Sequence, residues 1–259
     1  MSTAFITGAS AGIGASYARR LAARGYDLVL VARSTDKLEA LATDLRAAHS
    51  VAVEVLTADL TNATQLKVVE DRLRSGAPID LLINNAGDSL PGTFATAKPD
   101  DLDWLIQLNV TVPTLLASAA LAGMLERGAG SIVNIGSVVG LVPEYFPGIY
   151  AATKSYILTF SQGLAAEVGP KGIYVQAVLP AATRTAIWDR SGVDVSSLQN
   201  VMEVDDLVDA ALVGFDRKEG VTIPPLADAA AWSAFEAARH ALPPGFANAV
   251  PAERYRAKA

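Results

Sequence analysis

Short, nearly unbroken apolar runs alternate along this chain with longer stretches in which apolar residues return every three or four positions. The short runs predict strands at Thr3–Thr7, Asp27–Ala32, Val51–Leu56, Leu81–Asn84, Ser131–Ile135 and Tyr174–Leu179, with a last one at Val221–Ile223. The longer stretches predict helices at Ile13–Arg24, Thr35–Ala48, Ala63–Arg74, Asp100–Asn109, Val112–Arg127, Tyr150–Val168, Asp205–Asp216 and Ala227–His240. Several strands are β-branched throughout, as expected of strands covered on both faces. Strict alternation of strand and helix then implies repeated βα units around a parallel sheet, an α/β fold. Stop signals agree with these edges. Gly25 follows the first helix and Gly169-Pro170 the sixth, while Asp100 stands where an N-cap belongs.

No repeat or charge run divides the 259 residues. A single domain is therefore expected, with a core over about 3–225 and a C-terminal helix and Pro-rich extension over 226–259. Composition narrows the function classes. The net charge of −6 and pI of about 5.0 argue against a nucleic-acid binder. Cysteine is absent, which removes disulfides and thiolate ligands and suits the reducing cytoplasm. His49 and His240 have no His, Asp or Glu at ligand spacing, so no metal site is expected. The most apolar window, Val110–Leu125, includes Thr111, Pro113, Thr114 and Ser118, and is too short and polar to predict a membrane span.

Chemistry enters at Thr7-Gly8-Ala9-Ser10-Ala11-Gly12-Ile13-Gly14, between the first strand and the first helix. Glycines in that position permit a tight turn and let backbone N–H groups approach a pyrophosphate at a helix N-terminus. The expected cofactor is a dinucleotide and the sheet a Rossmann-type doubly wound one of about seven strands, with helices on both faces. The second strand ends in Ala32-Arg33-Ser34 with no acid before Asp36. An acid there would hold a ribose 2′-hydroxyl, whereas Arg33 suits a 2′-phosphate. NADP(H) is favoured over NAD(H).

Tyr150 and Lys154 lie four residues apart, hence on one face of a helix. An ammonium at roughly 5 Å with an effective dielectric near 20 favours phenolate by about 3 kcal/mol. That corresponds to about two pKa units, enough to bring a tyrosine towards working pH as a general acid or base.

Thr7-Gly8-(x3)-Gly12-x-Gly14, Asp59-Leu60, Asn84-Asn85-Ala86-Gly87, Asn109, Ser137 and Tyr150-(x3)-Lys154, in this order, resemble the short-chain dehydrogenase/reductase family. The resemblance implies a carbonyl–alcohol oxidoreductase over roughly Thr3 to Thr185. It implies that Asp59 meets the adenine amine and that Asn85-Ala86-Gly87 passes the cofactor ribose. Asn109 would anchor a water linking Lys154 to solvent, Ser137 would polarise the substrate oxygen, and Tyr150 would exchange the proton. Lys154 would also hold the nicotinamide ribose. Pro180-Ala181-Ala182-Thr183-Arg184-Thr185 departs from the family's Pro-Gly, and the Cβ of Ala181 is expected to narrow the site or shift the loop. Thr185, with Thr183 near it, takes the place of the threonine that touches the carboxamide.

Asp88–Lys98 and Arg184–Asn200, with Ile187 and Trp188, should wall the substrate pocket. Val138, Val139, Leu141, Tyr145 and Phe146 follow Ser137 and should join them. Such a pocket suits a largely apolar, uncharged ketone or aldehyde, or the matching alcohol. The helices Val112–Arg127 and Ile157–Val168 are apolar nearly all round, and the resemblance implies that they pair in a homodimer or homotetramer. The other reading is a non-catalytic NADP-binding sensor or scaffold; such proteins are expected to lose Tyr or Lys, and both are present.

Overall fold

Each central strand alternates its side chains between two separate cores, which is why its sequence is apolar without a break. The computed structural model describes residues 2–144, 148–191 and 194–256. The strands are β1 (Thr3–Thr7), β2 (Asp27–Ala32), β3 (Val53–Thr57), β4 (Leu81–Asn84), β5 (Gly130–Ile135), β6 (Ile173–Val178) and β7 (Val221–Thr222). They form one all-parallel sheet in the order β3-β2-β1-β4-β5-β6-β7. The helices are α1 (Gly12–Ala23), α2 (Thr35–His49), α3 (Ala63–Ser75), α4 (Pro99–Ile106), α5 (Val112–Arg127), α6 (Ile149–Val168), α7 (Ile187–Ser191), α8 (Val204–Asp216) and α9 (Ala229–His240).

Ala4, Ile6, Leu28 and Leu30 join the core made with α1, α2 and α8. Phe5, Val29 and Val31 face the opposite way, into the core made with α3, α5 and α6. A one-residue slip in register would exchange the two sets. Winding reverses direction between β1 and β4, and the crevice beyond their carboxyl ends is where such sheets take ligands. A buried polar chain fixes the helix that borders this crevice. Asn84 Nδ2 donates to Asn134 Oδ1 at 2.9 Å, and Asn134 Nδ2 donates to Ser161 Oγ of α6 at 2.9 Å.

Three expectations are corrected. Asp100 is not an N-cap: Lys98 occupies that position, Pro99 opens the helix, and Asp100 and Asp101 lie in the first turn, where they favour the helix dipole. The helices predicted at 100–109 and 112–127 are joined by a π-helical turn, Gln107–Thr111. The wider turn precedes Pro113, whose ring and missing N–H disrupt regular α-helical bonding. The continuous helix Pro99–Arg127 therefore has the length and apolarity to cross a membrane, unlike the window read from sequence, although 44% of its apolar stretch is buried within the protein.

The chain divides into two compact units, Met1–Pro225 and Leu226–Ala259. Within the second, Asp228 caps α9 by accepting from Ala230 N at 2.9 Å, so the helix starts two residues later than the pattern predicts.

Candidate active site

The glycine loop is stitched to the end of β4. Thr7 Oγ1 accepts from Asn85 N and Ala86 N, both at 3.0 Å. Asn85 Nδ2 donates to Thr7 O at 2.9 Å and Gly8 O at 3.2 Å. Asn85 thus serves the loop as a brace, a role beyond the expected place beside a ribose. Gly8 and Gly12 take φ of +66° and +53°, in the left-handed region that favours glycine. A Cβ on Gly14 would come within 2.4 Å of Gly8 O. Ala11 at the N-cap of α1 has no side-chain oxygen to accept the first-turn N–H groups, which suits them to an anionic ligand. Gly8, Ser10, Ala11, Gly12 and Ile13 all line one cleft, whose cavity measures about 440 Å³.

At the far end of that cleft stand Arg33, Ser34, Lys37, Asp59, Leu60 and Thr61. Lys37 escaped the sequence reading; the available signal was its position four residues beyond Arg33, in the first helical turns after the strand. Burial pushes the Asp59 carboxyl up, but hydrogen bonds from Thr61 N and Oγ1 at 2.9 and 2.7 Å, together with the nearby Arg33 charge, outweigh it and hold the group below the usual carboxylate range. Asp59 does not cap α3. Asn62 does, accepting from Thr64 N and Gln65 N at 3.1 Å each.

Tyr150 and Lys154 open α6 on the same face, with Nζ 5.6 Å from the phenol ring centroid. Lys154 is buried, and Nζ donates to Ile135 O at 3.0 Å. Ser137 lies two residues beyond β5, capping the turn Val138–Gly140; its hydroxyl donates to Pro180 O at 3.2 Å, accepts from Val139 N at 3.3 Å, and shares a hydrogen bond with Tyr150. The electrostatics correct the expectation that Lys154 brings the phenol towards neutrality. Burial, then the negative charge of Asp88, push Tyr150 above its ordinary value, and the Ser137 hydrogen bond opposes them only in part. Lys154 in turn is lowered to about 8 by burial, with Asp88 acting against the shift.

Asn109 sits in the π turn, where the wider backbone turns its amide inward. Its Oδ1 accepts from Asp88 N at 3.0 Å, while Nδ2 donates to Asp88 O at 2.9 Å and Thr153 Oγ1 at 3.1 Å. The side chain therefore clamps the Asp88 backbone and ties it to α6. Gly87 permits the close fit: a Cβ there would lie 3.2 Å from Asn109 Oδ1 and 3.5 Å from Lys154 Nζ.

On the opposite rim, Pro180, Ala181, Thr183 and Thr185 line the cleft. Ala181 is not among the residues with positive φ, so this loop does not require glycine there. Thr183 is buried and donates to Ala181 O at 3.0 Å, whereas the Thr185 methyl faces the Gly12 position, where a Cβ would be 3.4 Å away. Thr185 thus stands beside the glycine loop. Trp188 donates from Nε1 to Thr183 O at 2.6 Å, which fixes the indole as a wall. Asp88, Ser89, Val138, Val139, Ile187 and Trp188 line the cleft as expected, joined by Trp104 and Leu108 of the α4–π segment. Leu90–Phe94 border a separate small hollow instead, Leu141 is not in the cleft wall, and Tyr145 and Phe146 lie outside the described residues.

These residues fit a dinucleotide running from Arg33 past the glycine loop to Lys154, with Tyr150 and Ser137 converging beyond it. Residues 2–195 match the model of the short chain dehydrogenase family. A short-chain dehydrogenase from Sphingobium yanoikuyae, solved with NADPH, is 56% identical with a TM-score of 0.97, over 99% of this chain and 100% of that one. A bulky-bulky ketone specific alcohol dehydrogenase from Comamonas testosteroni is 51% identical with a TM-score of 0.92, over 98% of each. Human 17-beta-hydroxysteroid dehydrogenase type 3 is 35% identical over 71% of this chain and 60% of its own length, so the chain spans about three fifths of that relative. The chain belongs to the short-chain dehydrogenase/reductase family of oxidoreductases.

Proposed function

We propose that this protein is an NADP(H)-dependent oxidoreductase that interconverts a largely apolar, uncharged ketone or aldehyde and its alcohol. The observation that carries this reading is the convergence of Tyr150, Ser137 and Lys154 on one end of the cleft that begins at the glycine loop. Bound nicotinamide supplies or takes the hydride. Ser137 and Tyr150 donate hydrogen bonds to the substrate oxygen, where negative charge grows during reduction. Tyr150 then gives its proton to that oxygen, and in the oxidative direction takes it back. Lys154 would hold the ribose and supplies positive charge beneath the phenol, and Asn109 fixes the loop against which both sit.

The substrate walls favour ketones with two large substituents. Trp104, Leu108, Val138, Ile187 and Trp188 surround the Tyr150 end with apolar surface, and the Comamonas relative bears the corresponding name. Steady-state NADPH oxidation with a panel of neutral diaryl, aryl-alkyl and small ketones is the test. Turnover of bulky aryl ketones in preference to acetone is expected, and no turnover of any carbonyl compound would sink the reading.

Cofactor preference rests on Arg33 and Lys37 together, supported by the NADPH complex of the Sphingobium relative. Charge-assisted bonds to a phosphate contribute about 1.5–3 kcal/mol each. Arg33→Ser with Lys37→Ser should raise KM for NADPH by at least about 100-fold while changing KM for NADH by less than about threefold. Equal losses with both cofactors would remove the 2′-phosphate role.

A reducing, cytoplasmic setting is part of the proposal, on the lack of cysteine. So is a homodimer or homotetramer, supported by half-buried apolar groups left on α5 and α6: Leu115, Leu121 and the stacked pair Tyr156 and Phe160. Sedimentation equilibrium should give two or four chain masses; a monomer at micromolar concentration would refute it.

A further inference from the structure

Among the described residues, the reacting end of the cleft carries two charged side chains, and only Lys154 has a place in the chemistry above. The other is Asp88. Among the described residues that line the cleft, the charged ones are Arg33, Lys37, Asp59, Asp88 and Lys154. The first three line the end where the adenosine would sit, so among the described side chains Asp88 and Lys154 set the charge at the reacting end.

Asp88 is built into the site. It is 8% exposed, and its backbone is gripped on both sides by the Asn109 amide, at 3.0 and 2.9 Å. One carboxylate oxygen accepts from Ser89 N at 3.0 Å. The Asn109 amide also bonds Thr153, whose hydroxyl donates to Tyr150 O at 2.8 Å. The Asp88 backbone is thereby held in register with the start of α6, and the Ser89 N–H orients the carboxylate on it. Its charge is felt by both Tyr150 and Lys154, raising each. One anion and one cation compensate each other in a partly desolvated cleft. A negatively charged substrate would add a second anion with no further cation among the described cleft-lining side chains of that end to pair with it, and an unpaired charge taken out of water is costly.

We propose that Asp88 is a specificity-determining residue of the active site, whose carboxylate excludes anionic carbonyl compounds and admits neutral ones. This inference rests on the carbonyl reductase reading above and names the substrate class within it. A like charge held at about 6 Å, with an effective dielectric near 20, disfavours binding by about 100-fold. Part of that is offset by Lys154, so an effect of about 10- to 100-fold is expected.

The probe is a matched pair, benzoylformate and methyl benzoylformate, which differ in charge and share the aryl ketone. The measured quantity is the ratio of kcat/KM for the acid to that for the ester, with NADPH. In the wild-type protein the ester should be preferred by at least about tenfold. Asp88→Asn keeps the shape and an oxygen able to accept from Ser89 N, and should raise the ratio by about 10- to 100-fold. Asp88→Glu should stay within about threefold of the wild type. NADPH binding followed by fluorescence shows whether each variant is folded, and Asp88→Ser replaces Asp88→Asn if the latter is not.

A general loss of activity moves both substrates together and leaves the ratio unchanged, so a merely structural role for Asp88 gives the opposite result. An unchanged ratio in the Asn and Ser variants overturns the inference while leaving the carbonyl reductase reading intact. So does a wild-type preference for the acid. Turnover of neither compound nor of any other ketone overturns both.

Discussion

Tyr150→Phe should reduce kcat for ketone reduction by about 10³-fold, while the dissociation constant for NADPH stays within about threefold. The phenol contributes two effects that the phenyl ring lacks: a proton for the nascent alkoxide and one hydrogen bond to it. The ring itself remains, so its packing above Lys154, with Nζ at 5.6 Å from the centroid, and the ribose side of the cleft are preserved. A quench titration for cofactor and a stopped-flow trace for turnover separate the two quantities. Turnover within about tenfold of the wild type would remove Tyr150 as the proton donor. The pH dependence has a definite sign. Burial and Asp88 hold the phenol above its ordinary value, so it stays protonated, and competent for reduction, through neutral pH. Lys154 is lowered to about 8, so its positive charge is present below that pH and lost above it. Reductive kcat should therefore be level on the acid side of about 8 and fall as pH rises through it, because the charge opposite the developing oxyanion disappears.

What could be read in advance divides along physical lines. Central strands buried on both faces announce themselves by unbroken apolar runs, and these and the two edge strands β3 and β7 all appear within two residues of their predicted edges. The glycine loop and the Tyr150–Lys154 pair were legible because backbone conformation and helical spacing are local properties. The π turn was not. It arises from a conflict between Pro113 and a helix that tertiary packing keeps continuous, and the same turn decides where Asn109 points. Lys37 and Asp88 were missed as charges of the site for a related reason: the helical spacing of Lys37 from Arg33 is a weak signal and a loop aspartate has none, and their meaning comes from what the fold sets opposite them. The role of Asn85 also depends on partners far along the chain, since its amide braces Thr7 and Gly8. Ala181, where the family has glycine, is not among the residues with positive φ and lines the cleft, so its effect on the site comes through its Cβ and not through the backbone.

The glycine loop offers the second large effect, because two of its glycines are required for different reasons. Gly14→Ala places a Cβ 2.4 Å from Gly8 O and 2.6 Å from Asn85 Nδ2. Neither neighbour is a free side-chain end: one is loop backbone, and the other is an amide already bonded to that backbone. The loop must shift, which should cost about 2–3 kcal/mol of stability and lower Tm by about 5–10 °C. It should also weaken NADPH binding by about 100-fold, since the N–H groups aimed at the pyrophosphate move with the loop. Gly12→Ala meets nothing closer than the Thr185 methyl at 3.4 Å, but it must adopt φ of +53°. Its expected cost is the left-handed penalty alone, about 1–2 kcal/mol. Thermal melts of the two variants should therefore rank Gly14→Ala below Gly12→Ala, both below the wild type, with cofactor binding impaired in each. The reverse ranking would mean that the loop relaxes around an added methyl more readily than the packing between α1, β1 and Asn85 implies. Equal melts with intact NADPH binding would remove the close-approach argument for this loop altogether.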